Sequence, residues 1–99
     1  MQQITEANFE SETKTGVVIV DFSATWCVPC RYLTPILEQV QGAKIVKVDI
    51  DQDQALAQRF RVSAVPKLMF FKDGVEVFEM LGLQNKETIQ ARVDRLNHV

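Results

Sequence analysis

Almost continuously apolar runs alternate along the chain with segments in which apolar residues recur every three or four positions. Residues 17–23, VVIVDFS, form a β-branched apolar run that is typical of a strand covered on both faces. Residues 43–51, AKIVKVDID, form a second run of this kind. The pattern therefore predicts two core strands.

A helix is predicted between these two strands, over residues 29–40. Its apolar side chains are spaced three and four apart and form one face, made of Leu33, Ile36, Leu37 and Val40. Pro35 lies inside this pattern and predicts a kink, because proline lacks a backbone donor and crowds the carbonyl four residues before it. Gly42 would stop the helix before the second strand begins.

Two further helices are predicted on either side of this unit. A short strand at residues 2–5 leads into a helix over residues 6–14, with Thr5 as its cap. Residues 53–60 form another short helix, with Asp53 as its cap. Each strand is thus followed by a helix through the first 60 residues.

The C-terminal third of the chain has a different pattern. Residues 67–81, KLMFFKDGVEVFEML, are expected to form two strands around the turn signal KDG at residues 72–74. Residues 85–96 form a last amphipathic helix. The predicted order is βαβαβαββα, which favours an α/β fold: one three-layer domain over residues 1–99, with a mixed sheet and helices on both faces.

Composition and charge narrow the function classes. The 99 residues are 46% hydrophobic and 24% charged, which is ordinary globular usage with room for one core. A net charge of −2 and scattered cations offer no surface for nucleic acid or for a membrane. No apolar run is long enough to cross a bilayer, and the first residues, MQQITEANFE, lack the features of a signal peptide. We therefore expect a cytoplasmic protein, and nothing in the sequence requires more than a monomer.

The only two cysteines, Cys27 and Cys30, allow three interpretations. A structural disulfide across so short a loop would stabilise the fold by only roughly 2 kcal/mol and is uncommon in a reducing cytosol. A structural zinc site needs four ligands, and the chain has a single histidine, His98. A reactive pair fits the spacing, since two residues three apart on a helical turn have Cα atoms about 5 Å apart, within reach of a disulfide.

Placement favours the reactive interpretation. Cys27 would lie at the N-terminus of the predicted helix, where unpaired N–H groups and the helix dipole stabilise a thiolate and lower the pKa below its free value of about 8.5. Pro29 suits the first turn, where its missing N–H costs nothing. Cys30 would be shielded one turn inside and would attack second.

With these residues in place, the chain resembles the thioredoxin family over nearly its whole length. The motifs that show it are WCVPC after a VVIVDF strand, then KVDID, VPKLMFFKDG and a later Gly82. The resemblance implies a fold of five strands and four helices with the cysteine pair at the tip of the second strand. It also implies a general protein-disulfide reductase: the Cys27 thiolate attacks a client disulfide, and Cys30 resolves the mixed disulfide.

The resemblance also implies how the dithiol is restored. An NADPH-dependent flavoprotein, thioredoxin reductase, would reduce the pair, so the chain itself would hold no cofactor and no metal. Its partners would be that reductase and disulfide-containing client proteins.

Two charged residues are assigned by their match to the family. Asp21 corresponds to the buried acid that thioredoxins place behind the cysteine pair. Burial should raise the pKa of its carboxyl and prepare it to take the proton from Cys30. Lys47, on the neighbouring strand, corresponds to the lysine near that acid. The alternative for Asp21 is an acid at a strand end that reaches solvent, and the alternative for Lys47 is an exposed strand lysine.

A client-binding surface is assigned in the same way. Pro66 corresponds to the proline that thioredoxins hold in cis facing the disulfide, which would turn the Val65 backbone outward to pair with an extended client segment. The expected apolar and loop residues around Cys27 are Trp26, Val28, Pro29, Val65, Gly82 and Leu83.

Three positions depart from the family pattern. Val28 stands where the family usually has glycine, and Ser23 stands where many members have tryptophan, so Trp26 is the only indole. Lys67 stands where threonine is common. It is either a cation that helps to hold the Cys27 thiolate or favours acidic partners, or, as we expect, a solvated strand residue.

Two alternatives to a reductase remain. A thiol oxidase or isomerase relative would act in a secretory compartment, which the missing signal peptide argues against. A thioredoxin-like binding module would need neither the cysteines nor the acid and the proline.

Overall fold

Five strands and four helices follow one another in the predicted order. The computed structural model describes residues 1–99. Along the chain the elements are β1 (Gln2–Gln3), α1 (Phe9–Thr13), β2 (Val17–Ser23), α2 (Val28–Leu37), β3 (Lys44–Asp49), α3 (Gln54–Arg59), β4 (Lys67–Lys72), β5 (Val75–Leu81) and α4 (Lys86–Asn97). None of the four helices combines the length and the apolar character needed to cross a membrane.

The strands form one mixed sheet in the order β1-β3-β2-β4-β5. β1 and β2 pair in parallel with β3, whereas β4 runs antiparallel to β2 and to β5. β2 lies in the centre and all seven of its residues are buried, as its continuous apolar run predicts. The mixed five-stranded sheet is thus confirmed.

The core is divided into two layers by this sheet. Val18, Val20 and Phe22 of β2 belong to the cluster that also contains Phe9 of α1 and Leu56 of α3. The alternate residues of β2 belong to the cluster on the other face, together with buried side chains of α2 and α4: Val17, Ile19, Leu33, Leu37, Ile89 and Val93. Because side chains alternate along a strand, Asp21 lies on the α2 and α4 face.

The first helix is shorter than the pattern predicts, and its predicted cap is wrong. α1 begins at Phe9 instead of residue 6. The amide of Thr5 donates to Asn8 Oδ1 at 2.8 Å, and the amide of Glu6 donates to Asp53 Oδ2 at 2.7 Å. These donors are satisfied by side chains in a turn, so the segment forms no helix.

The second helix also ends early, at Leu37 instead of residue 40. The amides of Gln39 and Val40 donate to carbonyls three residues back, at 3.1 Å each, which tightens the last turn. Pro35 lies within α2, and a kink there stays a prediction.

The hairpin turn and the α3 cap agree with the sequence. Asp73 and Gly74 have φ angles of 49° and 87°, as a two-residue hairpin turn requires. Asp53 Oδ1 accepts from the amide of Leu56 at 3.0 Å, so Asp53 caps α3.

Candidate active site

The site lies where the central strand β2 passes into α2. Residues 24–27 connect the two, and the amide of Cys27 donates to the carbonyl of Ala24 at 3.2 Å. Cys27 has extended backbone angles and forms the N-cap of α2, and Pro29 lies in the first helical turn. This placement of Cys27 and Pro29 is the one expected from the sequence.

Cys27 and Cys30 are joined by a disulfide, with Cα atoms 5.3 Å apart. The amide of Cys30 donates to Cys27 Sγ at 3.2 Å. An amide directed at this sulfur at a helix N-terminus would stabilise the thiolate that forms when the disulfide is reduced. The fold therefore directs a backbone donor at Cys27 Sγ at the start of α2.

Accessibility does not distinguish the two cysteines. Cys27 is 4% exposed and Cys30 is 2% exposed, because both pack with Ala24, Ile50 and Val65. The shielding expected for Cys30 is present, but Cys27 is covered nearly as well in the disulfide form. The two sulfurs differ in their place on the helix, since one lies at its N-cap and the other within its first turn.

Asp21 is completely buried in the central strand β2. Neither of its carboxylate oxygens has a hydrogen-bond partner in the protein. Burial raises the pKa of this carboxyl from its ordinary value of 3.8 to about 6, and the positive charge of Lys47 opposes part of that rise. A solvent-facing position for Asp21 is thereby excluded.

Lys47 is the direct neighbour of Asp21 on β3 in the parallel register. Its side chain is half-buried, and Nζ donates to Thr34 Oγ1 on α2 at 3.3 Å. A cavity of about 270 Å³ opens beside it, lined among others by Ser23, Cys30 and Asp49. This volume is large enough for several water molecules between a cysteine of the pair and solvent.

The loop before β4 brings a second backbone segment into the site. The Val65–Pro66 peptide bond is cis, as the resemblance implied. The Pro66 carbonyl accepts from the amide of Gly82 at 2.8 Å, whereas the main-chain N–H and C=O of Val65 form no hydrogen bond within the protein. A free donor and acceptor therefore remain on Val65.

Exposed apolar side chains surround this segment. Trp26 is 65% exposed, and its indole N–H donates to Asp51 Oδ2 at 2.8 Å. Val28 and Leu83 are also exposed, while Val65 is half-buried against the cysteine pair. Core packing is thus excluded for Trp26 and applies only in part to Val65.

Three neighbouring residues were not singled out from the sequence. Tyr32 is exposed four residues after Val28 on α2, a spacing that places the two on one helix face. Thr34 and Asp51 contact Lys47 and Trp26 through hydrogen bonds that span 13 and 25 residues. The exposed aromatic could be found from helical spacing, but no local sequence signal indicates the two hydrogen bonds.

Lys67 differs from its prediction. Its side chain is only 15% exposed, and Nζ forms an ion pair with Glu79 Oε2 at 3.3 Å across β4 and β5. The expectation of a solvated strand residue was therefore wrong, because the neighbouring strand supplies a carboxylate.

A disulfide across the first turn of a helix, with a buried unpaired acid on the preceding strand, is typical of dithiol–disulfide oxidoreductases. No group of three or more His, Cys, Asp or Glu side chains is arranged to hold a metal ion.

Known proteins agree with this class. The family model described as Thioredoxin matches residues 1–95. A thioredoxin of Staphylococcus haemolyticus is 39% identical over 98 residues, which are 94% of this chain and 94% of the relative. A mutant thioredoxin from Halobacterium salinarum has a solved structure that superposes with a TM-score of 0.88 and 32% identity over 99% of this chain and 93% of its own. For chloroplastic thioredoxin z the TM-score is 0.90 and the identity 27%, over 100% and 96% of the two chains.

The chain belongs to the thioredoxin family. It is a protein-disulfide oxidoreductase, and its chemistry is dithiol–disulfide exchange through Cys27 and Cys30. The interpretation of the cysteines as a reactive pair is confirmed.

Proposed function

We propose that the chain, acting as one domain over residues 1–99, is a general reductase of protein disulfides. The observation that supports this most strongly is the Cys30 amide directed at Cys27 Sγ at the start of α2. A thiolate stabilised at that sulfur is the nucleophile that a disulfide reductase needs.

The proposed exchange has two steps. The Cys27 thiolate attacks one sulfur of the client disulfide, forms a mixed disulfide and releases the other client sulfur as a thiolate. The deprotonated Cys30 then attacks Cys27 Sγ, which forms the Cys27–Cys30 disulfide and releases the second client thiolate. Two electrons pass from the cysteine pair to the client, and the two client thiolates are protonated by solvent.

Asp21 is proposed as the group that takes the proton from Cys30. With a pKa of about 6, its carboxyl is mostly ionised at neutral pH, yet no hydrogen bond satisfies the charge. Such a carboxylate accepts a proton readily. Lys47 is proposed to limit the rise in the pKa of Asp21, and water in the cavity beside Cys30 would carry the proton onward.

The client is proposed to bind as an extended segment along Val65 and Pro66. The free N–H and C=O of Val65 would pair with the client main chain. The client side chains next to the disulfide would contact Trp26, Val28, Pro29, Gly82 and Leu83. This surface favours clients with apolar residues beside their cysteines.

Leu83→Ser tests this surface. We expect kcat/KM for a protein disulfide to fall about fivefold, because an exposed apolar contact at the centre of the docking surface is lost. A small aromatic disulfide that does not span the surface should be reduced at the parental rate. The matched control is Val75→Ser, since Val75 is exposed at the hairpin end of β5, near the turn at residues 73–74. Equal losses in both variants, or a loss with the small disulfide as well, would contradict the assignment.

The proposed partners are disulfide-containing client proteins and an NADPH-dependent thioredoxin reductase. NADPH would then act only through that flavoprotein, and this chain would bind no cofactor, nucleic acid or membrane. The proposed location is the cytoplasm, where the reducing pool suits a cycling pair, and the proposed working form is a monomer.

A coupled assay tests this function. Catalytic amounts of the protein are mixed with NADPH, a purified bacterial thioredoxin reductase and insulin, and we expect NADPH oxidation together with precipitation of the reduced insulin chains. Omitting the protein, the reductase or insulin in turn should stop the reaction. An oxidised protein that instead oxidises unfolded dithiol clients, and whose dithiol form leaves insulin intact, would favour the oxidase alternative.

A further inference from the structure

Thr34 lies on α2, one turn after Cys30, and has no part in the exchange described above. Its hydroxyl makes two hydrogen bonds. Thr34 Oγ1 donates to the carbonyl of Cys30 at 3.3 Å and accepts from Lys47 Nζ at 3.3 Å. The hydroxyl has one proton, which it donates in the hydrogen bond to the Cys30 carbonyl. Toward the Lys47 ammonium the oxygen can therefore act only as an acceptor, through a lone pair. The direction of both bonds is therefore set.

This hydroxyl is the only hydrogen-bond partner of the Lys47 ammonium within the protein. Lysine has a flexible stem and a strongly hydrated head group, so an ammonium without a partner moves out to water. The acceptor on α2 instead holds Lys47 over the sheet, in register with Asp21 on β2. Thr34 thus ties a cation on β3 to the helix that carries the cysteine pair.

We propose that Thr34 is a positioning residue that holds the Lys47 ammonium beside Asp21 and so sets the pH range in which Asp21 exchanges its proton. The consequence for the release of clients rests on the function proposed above for Asp21. The charge of Lys47 opposes the effect of burial on the pKa of Asp21, so the effect of Thr34 on Asp21 passes through the lysine.

Few other charges face this region. The remaining charged and titratable groups around the cavity are Arg31 and Cys30 on α2 and Asp49 on β3. Asp49 accepts from the amides of Asp51 and Gln52, at 2.9 and 3.2 Å. β4 presents Leu68 opposite Asp21, and α4 presents only apolar residues to this core layer: Ile89, Val93 and Leu96. Lys47 is thus the cation that the sheet places next to Asp21.

Thr34→Val and Thr34→Ser separate the hydroxyl from the shape of the side chain. Valine keeps the β-branched shape without the oxygen, whereas serine keeps the oxygen. We expect the titration of the Asp21 carboxyl carbon, followed by ¹³C NMR, to move to higher pH in Thr34→Val and to remain at the parental position in Thr34→Ser. In a Lys47→Met background, Thr34→Val should cause no further movement.

Client release provides the functional readout. A peptide is joined to Cys27 as a mixed disulfide, and its release by Cys30 is followed by stopped flow between pH 5.5 and 8.5. We expect Thr34→Val to slow release by roughly two- to fivefold near pH 6.5, at the lower end of the coupling between interacting side chains, because the effect on Asp21 passes through Lys47. The rates should converge at the highest pH, where Asp21 is ionised in every variant.

The outcomes distinguish this inference from the function on which it rests. An unchanged Asp21 titration in Thr34→Val, an equal movement in Thr34→Ser, or a movement that persists in Lys47→Met would each overturn the positioning role. If the titration moves as expected while Asp21→Asn releases the peptide at the parental rate, the positioning role stands and Asp21 is not the base.

Discussion

We expect Cys27→Ser to abolish insulin reduction, whereas Cys30→Ser should stop after the first step and accumulate as a mixed disulfide with its client. The first variant lacks the attacking sulfur, and a lost nucleophile costs at least about a thousandfold in rate, which places turnover at the detection limit. The second keeps the thiolate at the N-cap of α2 but has no sulfur to displace the client. Turbidity of the precipitated insulin chains measures the loss, and mass spectrometry of the unreduced protein detects the covalent adduct.

The two variants are matched controls for each other, since each removes one sulfur from the same turn. Both residues are nearly buried, so a difference in outcome reports their place on the helix and not their exposure. In Cys30→Ser, alkylation of Cys27 should have a pH midpoint below the free-cysteine value of about 8.5, because the amide of residue 30 still faces Cys27 Sγ. Parental turnover in Cys30→Ala would refute the resolving role, and an ordinary thiol midpoint would refute the stabilised thiolate.

The sequence predicted those parts of the fold that depend on interactions between residues close to each other in the chain. The continuous apolar run predicted β2, the KDG turn predicted the β4–β5 hairpin, and Asp53 was identified as a cap. The start of α1 was missed because the amide of Glu6 bonds to Asp53, a residue 47 positions away. The preference of Thr5 for an N-cap position does not reveal that the next amide binds Asp53, which comes near only when the chain is folded.

The same division holds within the site. Helix geometry places Cys27 at the N-terminus of α2, Pro29 in its first turn and Cys30 within reach of a disulfide. These placements could therefore be predicted from the residues alone. The cis bond before Pro66 was expected only through the family resemblance, because it depends on neighbouring segments. The burial of Asp21 agrees with its place in the apolar run of β2, whereas its role came from the resemblance. The sequence pattern does not indicate contacts between side chains that are distant in the chain. Examples are the hydrogen bond between Thr34 and Lys47 and the ion pair between Lys67 and Glu79.

Asp21→Asn changes how the stability of the fold depends on pH. The carboxyl of Asp21 titrates at an ordinary pKa of 3.8 when the chain is unfolded and at about 6 when it is buried. Between these values the folded state binds more protons than the unfolded state, so the contribution of Asp21 to stability falls as the pH rises. Well above pH 6 the buried charge lowers the free energy of unfolding by roughly 3 kcal/mol. Well below pH 3.8 the carboxyl is protonated in both states, so it has no such effect. Asparagine carries no charge and has no such dependence.

We therefore expect the free energy of unfolding of Asp21→Asn, minus that of the parent, to rise by roughly 3 kcal/mol from pH 3.5 to pH 7.5, with the rise lying between pH 4 and pH 6.5. Urea unfolding of the disulfide forms measures it, and the subtraction cancels every carboxyl that the two proteins share. Asp94→Asn, on the exposed side of α4, controls for the loss of one negative charge. A difference that stays flat across this range would mean that the Asp21 carboxylate is solvated in the folded protein. A buried, unpaired charge destabilises the fold at neutral pH, so Asp21 does not serve stability there, which agrees with the proton-transfer role proposed for it.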